Sequence, residues 1–269
     1  MECCCFSKFM RLSIITINYN NKDGLQKTIE SIVTQSFNDF EWIVIDGGST
    51  DGSRELIERY ADHMAYWVSE PDKGVYNAMN KGIMVAKGEY INFMNSGDYL
   101  ASPTILEEVF TTPRTADVLY GYMMRGSLDG EVNNLSMMKP NLSWIDLYGD
   151  GLPHQSTFIK RSLFDKFGLY DESLKAVSDW KFFVKAIVYH KTTSEFVPLK
   201  ISIYEEGGIS DVMGGEERKR VQNELFPRAM VETIPVVEAY DRIQSHHLTA
   251  KLYSCVDKLA KRLERRQKS

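Results

Sequence analysis

The fold is decided by three short stretches, LSIITIN (12–18), EWIVID (41–46) and YINFM (90–94). Each is an almost unbroken run of aliphatic, β-branched or aromatic residues, which is typical of strands buried on both faces of a parallel sheet. Segments with helical spacing lie between them, and their apolar positions include Leu25, Ile29, Leu56, Ile57, Met79 and Ile83. This alternation predicts an α/β fold with a parallel, doubly wound sheet.

The second half of the chain is less regular, and shorter patterns predict its elements. A helix that begins at Ser178, with this residue as its N-cap, places Trp180, Phe183 and Ile187 on one face. The other predicted elements are strands at 66–69, 117–124, 156–160 and 196–204, loop and short helix over 125–153, and helix from about Glu216 to the end.

Length and composition agree with one globular domain and an appendage. The chain has 269 residues, of which 43% are hydrophobic and 26% are charged. This composition excludes a disordered or collagen-like chain. We expect a flexible N-terminus at 1–11, an α/β domain at 12–212 and a C-terminal helical extension at 213–269.

Neither a membrane-spanning nor a secretory segment is expected. No window approaches 18 consecutive apolar residues, and the first residues lack the features of a secretory signal. Cys3, Cys4, Cys5 and Cys255 have the spacing of neither a zinc site nor a disulfide framework, although consecutive cysteines can also carry lipid. These observations favour a reduced, cytoplasmic protein.

Charge is divided unevenly between the body of the chain and its tail. Residues 251–269 hold seven Lys and Arg against two acids, so this tail carries +5 and the rest −10, for a net charge of −5. An acidic body argues against nucleic-acid binding. The apolar stripe from Leu248 to Leu263 predicts an amphipathic tail helix. We expect it either at the inner membrane surface, as a peripheral contact, or packed against the body or a second subunit in a homodimer.

Polar, glycine-containing turns follow three of the predicted strands: NYNN (18–21), DGGSTDGS (46–53) and NSGD (95–98). Because the carboxyl ends of parallel strands meet at one edge of a sheet, we expect these turns to form a nucleotide site. In the second turn, Ser49 to Asp51 are also suited to capping the next helix. That capping role leaves Asp46 to accept an N–H of uracil or guanine.

Longer motifs give these turns a family context. The chain resembles family 2 of the inverting glycosyltransferases, with the GT-A fold, over roughly residues 12–210. The resembling segments are SIITINYNN (13–21), VIDGGSTDGS (44–53), PDKGVYNAMNKGIMVAKGEYINFMNSGDYL (71–100), PHQSTFIKRSLFDKFGLYDE (153–172), VSDWKFF (177–183) and GGIS (207–210). The resemblance implies a Rossmann-like, mostly parallel central sheet flanked by helices. It also implies a nucleotide-binding half at 12–100 and an acceptor half at 101–212.

The resemblance also implies the contacts to the nucleotide base. Ile17, Tyr19 and Asp46 match the family's base contacts, and Asp72 falls where the family has a further polar residue near the base. Gly47 stands where many relatives carry a second aspartate. The base contacts are therefore expected to rest on Asp46 alone.

The floor of the donor site and its metal follow from the same resemblance. Asn80 and Gly82 match an Asn-x-Gly beneath the sugar nucleotide, and Asn95 opens the NSGD turn that replaces the family's Asp-x-Asp-Asp. Asp98 is the carboxylate left in that turn, so we expect it to hold Mg²⁺ or Mn²⁺ together with the donor diphosphate. The alternative is an aspartate that only opens a turn.

Asp179 matches the family's catalytic base, in the motif VSDW (177–180). The alternative is a first-turn carboxylate stabilised by the helix dipole. His154, in the PHQ segment, is expected to contact the diphosphate or the acceptor, although a lone histidine is more often structural.

The resulting interpretation is a hexosyl- or N-acetylhexosaminyltransferase. It would move a sugar from a nucleotide-sugar donor, a UDP-sugar by family habit, to a glycan or a lipid-linked saccharide. A sugar nucleotidyltransferase is the first alternative, and it would need a Gly-rich basic loop where the chain has NYNNKDG (18–24). A non-catalytic nucleotide- or glycan-binding module is the second. The reduced metal motif favours it, whereas the retained Asp98 and Asp179 count against it.

Overall fold

The computed structural model describes residues 10–126, 132–136, 138–149, 151–205, 209–237 and 239. Its strands are β1 (Leu12–Asn18), β2 (Phe40–Asp46), β3 (Tyr66–Ser69), β4 (Tyr90–Phe93), β5 (Tyr99–Leu100), β6 (Val118–Gly126), β7 (Val132–Leu135), β8 (Thr157–Lys160) and β9 (Ser194–Glu205). Its α-helices are α1 (Lys22–Val33), α2 (Ser53–Arg59), α3 (Val75–Val85), α4 (Ile105–Phe110), α5 (Trp144–Gly149), α6 (Ser162–Phe167), α7 (Ser178–Phe183), α8 (Ile209–Leu225) and α9 (Arg228–Val231).

The strands form one mixed sheet in the order β3-β2-β1-β4-β8-β6-β9-β5, with β7 paired to β6. The first four strands of this order are parallel, as predicted. β8 runs antiparallel to both β4 and β6, whereas β6 and β9 are parallel, so the sheet is mixed in its second half. The start of β8 consequently lies at the same edge as the carboxyl ends of β1, β2 and β4.

The core explains why the run in β1 is unbroken. Every residue of β1 is buried. Ile14 belongs to a hydrophobic cluster with Leu25 and Ile29 of α1. Ile15 faces α3 instead, where a β-carbon added to Gly82 would lie 2.5 Å from its Cγ2. Helices therefore cover both faces of the strand, which removes any position for a solvent-facing polar residue.

Three predicted elements differ from the structure. The segment expected as loop and short helix contains α5 but also the strand β7, which pairs with β6. The α7 helix continues as a π-helix over Val184–Tyr189. Its N-cap is Val177, and Ser178 is already helical. The Ser178 hydroxyl instead accepts a hydrogen bond from the Asp171 amide at 2.6 Å, which ties the preceding loop to the helix.

The chain divides into two compact units, with the boundary after Arg218. In the second unit, the structure describes the end of α8 and all of α9. No described helix is long and apolar enough to cross a membrane. The expected flexible terminus up to residue 9, all four cysteines and the basic tail lie outside the described residues.

Candidate functional site

A cleft of about 910 Å³ opens at the edge of the sheet where β1, β2 and β4 end. Seven of the predicted site residues line it: Ile17, Tyr19, Asp72, Asn95, Asp98, His154 and Asp179. The other three, Asp46, Asn80 and Gly82, do not line the cleft. The structure thus brings most of the predicted residues together from five separate elements and turns.

Asp46 is fully buried and surrounded by hydrogen-bond donors. Its Oδ1 accepts from Asn18 at 2.7 Å and from the Ser49 hydroxyl at 2.5 Å. Its Oδ2 accepts from the amides of Gly48 and Ser49 and from the Ser69 hydroxyl. Burial alone would raise the pKa of Asp46, but these hydrogen bonds lower it. This carboxylate therefore organises the turn after β2.

The N-cap of α2 is Gly52 rather than a residue of 49–51, and it makes no side-chain cap hydrogen bond. Asp51, which precedes it, bonds to the first helical residue instead. Its Oδ1 accepts from the amide and the hydroxyl of Ser53, the first residue of α2. Its Oδ2 accepts from the Lys22 amide at the start of α1. One side chain thereby satisfies donors at the beginnings of two helices.

Tyr19 and Asp72 form one wall of the cleft. Tyr19 is 67% exposed, which is unusual for a large aromatic side chain beside a buried strand. Asp72 Oδ1 accepts from the Gly74 amide at 2.8 Å. A β-carbon on Gly47 would lie 2.6 Å from Asp72 Oδ2 and 3.1 Å from the Tyr19 ring. Glycine at position 47 thus leaves room for the Asp72 carboxylate beside the aromatic ring.

Asn80 and Gly82 serve the packing of α3. The Asn80 amide group bonds the backbone of Tyr170 in both directions, at 2.9 and 3.0 Å. It also donates to the carboxylate of Glu172. Gly82 lies against Ile15, as described above. Both residues are buried and act beneath the cleft rather than at its surface.

The NSGD turn is held by α1. The Thr28 hydroxyl donates to the Asp98 carbonyl at 2.7 Å and lies 3.1 Å from the amide of Gly97. Gly97 has a φ of +103°, a conformation that favours glycine. The departure from the family's acidic motif at this position therefore has a backbone reason. Asn95 Oδ1 is buried without a hydrogen-bond partner.

Asp98 lies at the bottom of the cleft and is only 5% exposed. Burial raises the pKa of Asp98 to about 7, and the charge of His154 and a hydrogen bond from Gln155 offset this only in part. Among the described residues, no three His, Cys, Asp or Glu side chains are grouped so that they could hold a metal ion. A cation at Asp98 would therefore need oxygens from a bound ligand.

Asp179 is held by two side chains from opposite sides. The Tyr76 hydroxyl donates to its Oδ1 at 2.8 Å, and His154 Nδ1 lies 3.0 Å from its Oδ2. The other ring nitrogen of His154 lies 3.1 Å from the Asn95 amide nitrogen. Burial would raise the pKa of Asp179, but His154 and Tyr76 lower it. Burial disfavours the charged form of His154, whereas Asp179 and Asp98 raise its pKa.

Several residues of the site carry no signal that sequence patterns could detect. Asn92 is fully buried in β4, and its amide donates to the carbonyls of His154, Gln155 and Thr157. It therefore fixes the turn that carries His154. Tyr76 is also missed, because its spacing with Met79 and Ile83 predicts that the ring is buried but not which group its hydroxyl contacts.

The far wall of the cleft includes Lys175 and Ala176. Their backbone amides donate to the carboxylate of Glu217, with distances of 2.8 to 3.1 Å. The next residue, Arg218, places its guanidinium 4.5 Å from the ring centroid of Trp180. Side chains of α8 within the first unit thus hold both the loop before α7 and the first turn of α7.

Comparison with known proteins identifies the family. A family profile described as "Glycosyl transferase family 2" matches residues 13–164, which is more than half of the chain. A glycosyltransferase of Mycobacterium tuberculosis, named as uncharacterised, is 32% identical over 188 residues, covering 65% of this chain and 68% of its own. A PGL/p-HBAD biosynthesis glycosyltransferase of Mycobacterium bovis is 26% identical over 219 residues, covering 76% and 81%.

Solved structures share the fold. Staphylococcus aureus TarS 1–349 in complex with UDP superposes with a TM-score of 0.61 at 22% identity, covering 73% of this chain and 60% of that one. The mannosyltransferase PcManGT of Pyrobaculum calidifontis, in complex with GDP-Man and Mn²⁺, has a TM-score of 0.59 at 16% identity, covering 93% and 80%. The chain thus spans about 60% of the TarS fragment. By its profile match and its relatives, the chain belongs to glycosyltransferase family 2.

Proposed function

We propose that this chain is an inverting glycosyltransferase that moves a sugar from a UDP-sugar to a hydroxyl of a glycan or a lipid-linked saccharide. The observation that carries the proposal is that Tyr19, Asp72, Asp98 and Asp179 line one cleft. Tyr19 and Asp72 would contact the nucleotide base of one bound nucleotide sugar. Asp98 would lie beside its diphosphate, and Asp179 would act as the general base.

The nucleotide would bind between Tyr19 and Asp72. The exposed Tyr19 ring offers a face on which a base can stack. Asp72 Oδ1 is engaged by Gly74, which leaves Oδ2 toward the ring as an acceptor. One acceptor oxygen suits the single imide N–H of uracil. The UDP complex of TarS is consistent with this choice, while the GDP-Man complex of PcManGT makes guanine the competing base.

A divalent cation fits the turn of residues 95–98. The carboxylate of Asp98, whose negative charge is only partly offset by its neighbours, and the unpartnered Oδ1 of Asn95 both offer oxygen atoms to a ligand. Mg²⁺ and Mn²⁺ prefer oxygen ligands of this kind. Asp98 would hold the ion, and diphosphate oxygens and waters would complete its ligands. When bound, such a cation supplies positive charge that offsets the charge developing on the leaving diphosphate.

Asp179 would serve as the general base of a single displacement. The acceptor oxygen bonds to the anomeric carbon while the bond from that carbon to the diphosphate oxygen breaks. Asp179 takes the hydroxyl proton, and the diphosphate leaves with the bonding electrons. The depressed pKa of Asp179 keeps its carboxylate ionised and able to accept a proton. One displacement inverts the anomeric configuration.

We propose a glycan or a lipid-linked saccharide as the acceptor. The Mycobacterium bovis relative carries a name from PGL/p-HBAD biosynthesis, which supports a glycan or glycolipid acceptor for this chain. The basic tail of residues 251–269 would bring the enzyme to an anionic membrane surface or join two copies. A truncation before Lys251 should lose binding to anionic vesicles while it keeps donor hydrolysis.

Thermal shifts with UDP, GDP and dTDP, each with and without Mn²⁺, test the donor. UDP with Mn²⁺ should stabilise the fold most, by about 2.7 kcal/mol at 100 times its dissociation constant. A donor hydrolysis screen follows, and the anomeric configuration of a transfer product is then read by NMR. A retained configuration would exclude the inverting mechanism. Nucleotide binding without hydrolysis or transfer of any donor would favour the binding-module alternative.

A further inference from the structure

The hydroxyl of Tyr76 joins two regions of the molecule that are far apart in sequence. Tyr76 lies in the first turn of α3, directly after the segment that carries Asp72 and Gly74 at the cleft. Its hydroxyl donates to Oδ1 of Asp179 at 2.8 Å, across a sequence separation of 103 residues. The segment that contacts the nucleotide in the proposed function is therefore hydrogen-bonded to the proposed base.

The surroundings leave this hydroxyl with one acceptor. Tyr76 is 5% exposed, and its ring packs edge-on against Tyr170 with 5.6 Å between the ring centroids. Burial, followed by the charge of Asp179 and their hydrogen bond, raises the pKa of Tyr76. The hydroxyl thus remains protonated and acts as a donor. A donor fixed on one oxygen restricts the side-chain rotation of Asp179.

Other groups face Asp179 from every element packed around it. His154 lies on its second oxygen. Asp98 acts on this histidine through its charge, and the charge of Asp179 in turn acts on Tyr170. Tyr170 makes no hydrogen bond to Asp179, because its buried hydroxyl has no hydrogen-bond partner. Tyr76 is therefore the neighbouring tyrosine whose hydroxyl contacts the carboxylate.

We propose that Tyr76 is a positioning residue for the base. Its hydroxyl fixes one oxygen of Asp179. A nucleotide sugar bound against the start of α3 thereby determines how the carboxylate meets the acceptor hydroxyl. This inference rests on the proposed function, since it assumes that Asp179 takes the acceptor proton. It goes beyond that function by assigning the orientation of the base to the donor-binding segment.

The test compares Tyr76→Phe with Tyr170→Phe in the full chain. Both changes remove one buried hydroxyl from the same aromatic cluster, but only the first removes a hydrogen bond to Asp179. Aspartate carboxyl carbons are labelled with ¹³C, the Asp179 resonance is assigned with Asp179→Asn, and its titration is followed by NMR. Tyr76→Phe should raise the Asp179 pKa, because a lost hydrogen bond disfavours the charged form. Tyr170→Phe should leave the pKa at the wild-type value.

Kinetics then ask whether the hydrogen bond matters for transfer. We expect kcat of Tyr76→Phe to fall about tenfold, less than the 10²–10⁴ expected for losing the base itself, with the donor KM unchanged. The acidic limb of its pH profile should move to higher pH, which a packing defect would not cause. A raised donor KM with unchanged kcat would make Tyr76 a donor-binding residue and overturn the proposal.

The NMR measurement separates this inference from the proposed function. An unchanged Asp179 pKa in Tyr76→Phe overturns the positioning role, whatever the activity. If Tyr76→Phe raises the Asp179 pKa but the wild-type protein transfers no sugar, the hydrogen bond between Tyr76 and Asp179 is supported and the proposed function is wrong. If Tyr76→Phe does not fold, the wild-type titration decides. An Asp179 midpoint at the ordinary aspartate value overturns the proposal.

Discussion

The turn after β2 and the NSGD turn (95–98) each bury an aspartate at the same edge of the sheet, but the pKa values of the two carboxyl groups shift in opposite directions. Asp46 accepts hydrogen bonds from five donors, and its pKa is lowered. Burial raises the pKa of Asp98 to about 7. The charge of Asp46 is satisfied within the protein, and its carboxylate holds the turn together. The charge of Asp98 is not, which suits this carboxylate to a ligand from outside.

The largest expected effect comes from Asp179→Asn. The amide keeps an oxygen for Tyr76 and a nitrogen toward His154, so the fold should survive with little loss. An amide cannot take the acceptor proton, and we expect transfer to fall by 10²–10⁴. Turnover and UDP-sugar affinity measured on the same variant check this. Weakened affinity with near-normal turnover would make Asp179 a binding residue.

Asp46→Asn should produce the opposite result. The amide nitrogen of asparagine is itself a donor and cannot accept from the donors that surround this position. Several hydrogen bonds to a charged group are therefore lost. We expect the free energy of unfolding to fall by about 2–3 kcal/mol, with transfer retained well below the melting temperature. Urea denaturation measures the loss. A fully stable variant that no longer binds UDP would indicate that Asp46 contacts the nucleotide base.

Asp98→Asn should remove the contribution of this group to the pH dependence of stability. The folded state keeps a proton on Asp98 up to about pH 7, whereas the unfolded chain releases it near pH 4. Wild-type stability from this group therefore falls as pH rises through that window. The variant should become more stable than the wild type by about 3–4 kcal/mol at pH 8.

Urea denaturation of both proteins at pH 5 and pH 8 without metal measures that difference. Asp46 contributes the reverse slope, because its depressed pKa gives stability at neutral pH that is lost on acidification. The Asp98→Asn variant should also lose the Mn²⁺-dependent part of the UDP stabilisation. An unchanged metal response would remove Asp98 from the site.

The smallest effect should come from Gly47→Ala. The added methyl group would lie 2.6 Å from Asp72 Oδ2, so this carboxylate must move away from the Tyr19 ring. We expect UDP affinity to weaken by about tenfold, which corresponds to 1.4 kcal/mol. Gly149→Ala is the matched control, since nothing lies within 4 Å of its added carbon. Equal UDP affinity in the two variants would exclude Asp72 from base recognition.

The sequence predicts the fold well where burial is continuous. The runs in β1 and β2 define those strands to within one residue, because strands buried on both faces are mostly apolar. The antiparallel insertion of β8 could not be predicted, since a short apolar strand carries no mark of its direction. The strand β7 was missed because its sequence, VNNL, has a weak apolar pattern.

The candidate site was predictable in its members but not in its contacts. Family motifs identified Asp98, His154 and Asp179, and the cleft brings all three together. They also identified Asp46, but no sequence pattern reveals that five donors surround it. Tyr76 was missed because its partner lies 103 residues away. Hydrogen bonds between distant segments leave no local periodicity to detect.

The antiparallel direction of β8 has an evolutionary consequence. β6 ends, and β8 begins, at the edge of the sheet that carries the cleft, so the intervening segment is anchored at both ends beside the site. Its length and sequence can therefore diverge while the donor-facing strands keep their register. We propose that changes in this segment alter which acceptor is used, while the strands that line the cleft stay the same.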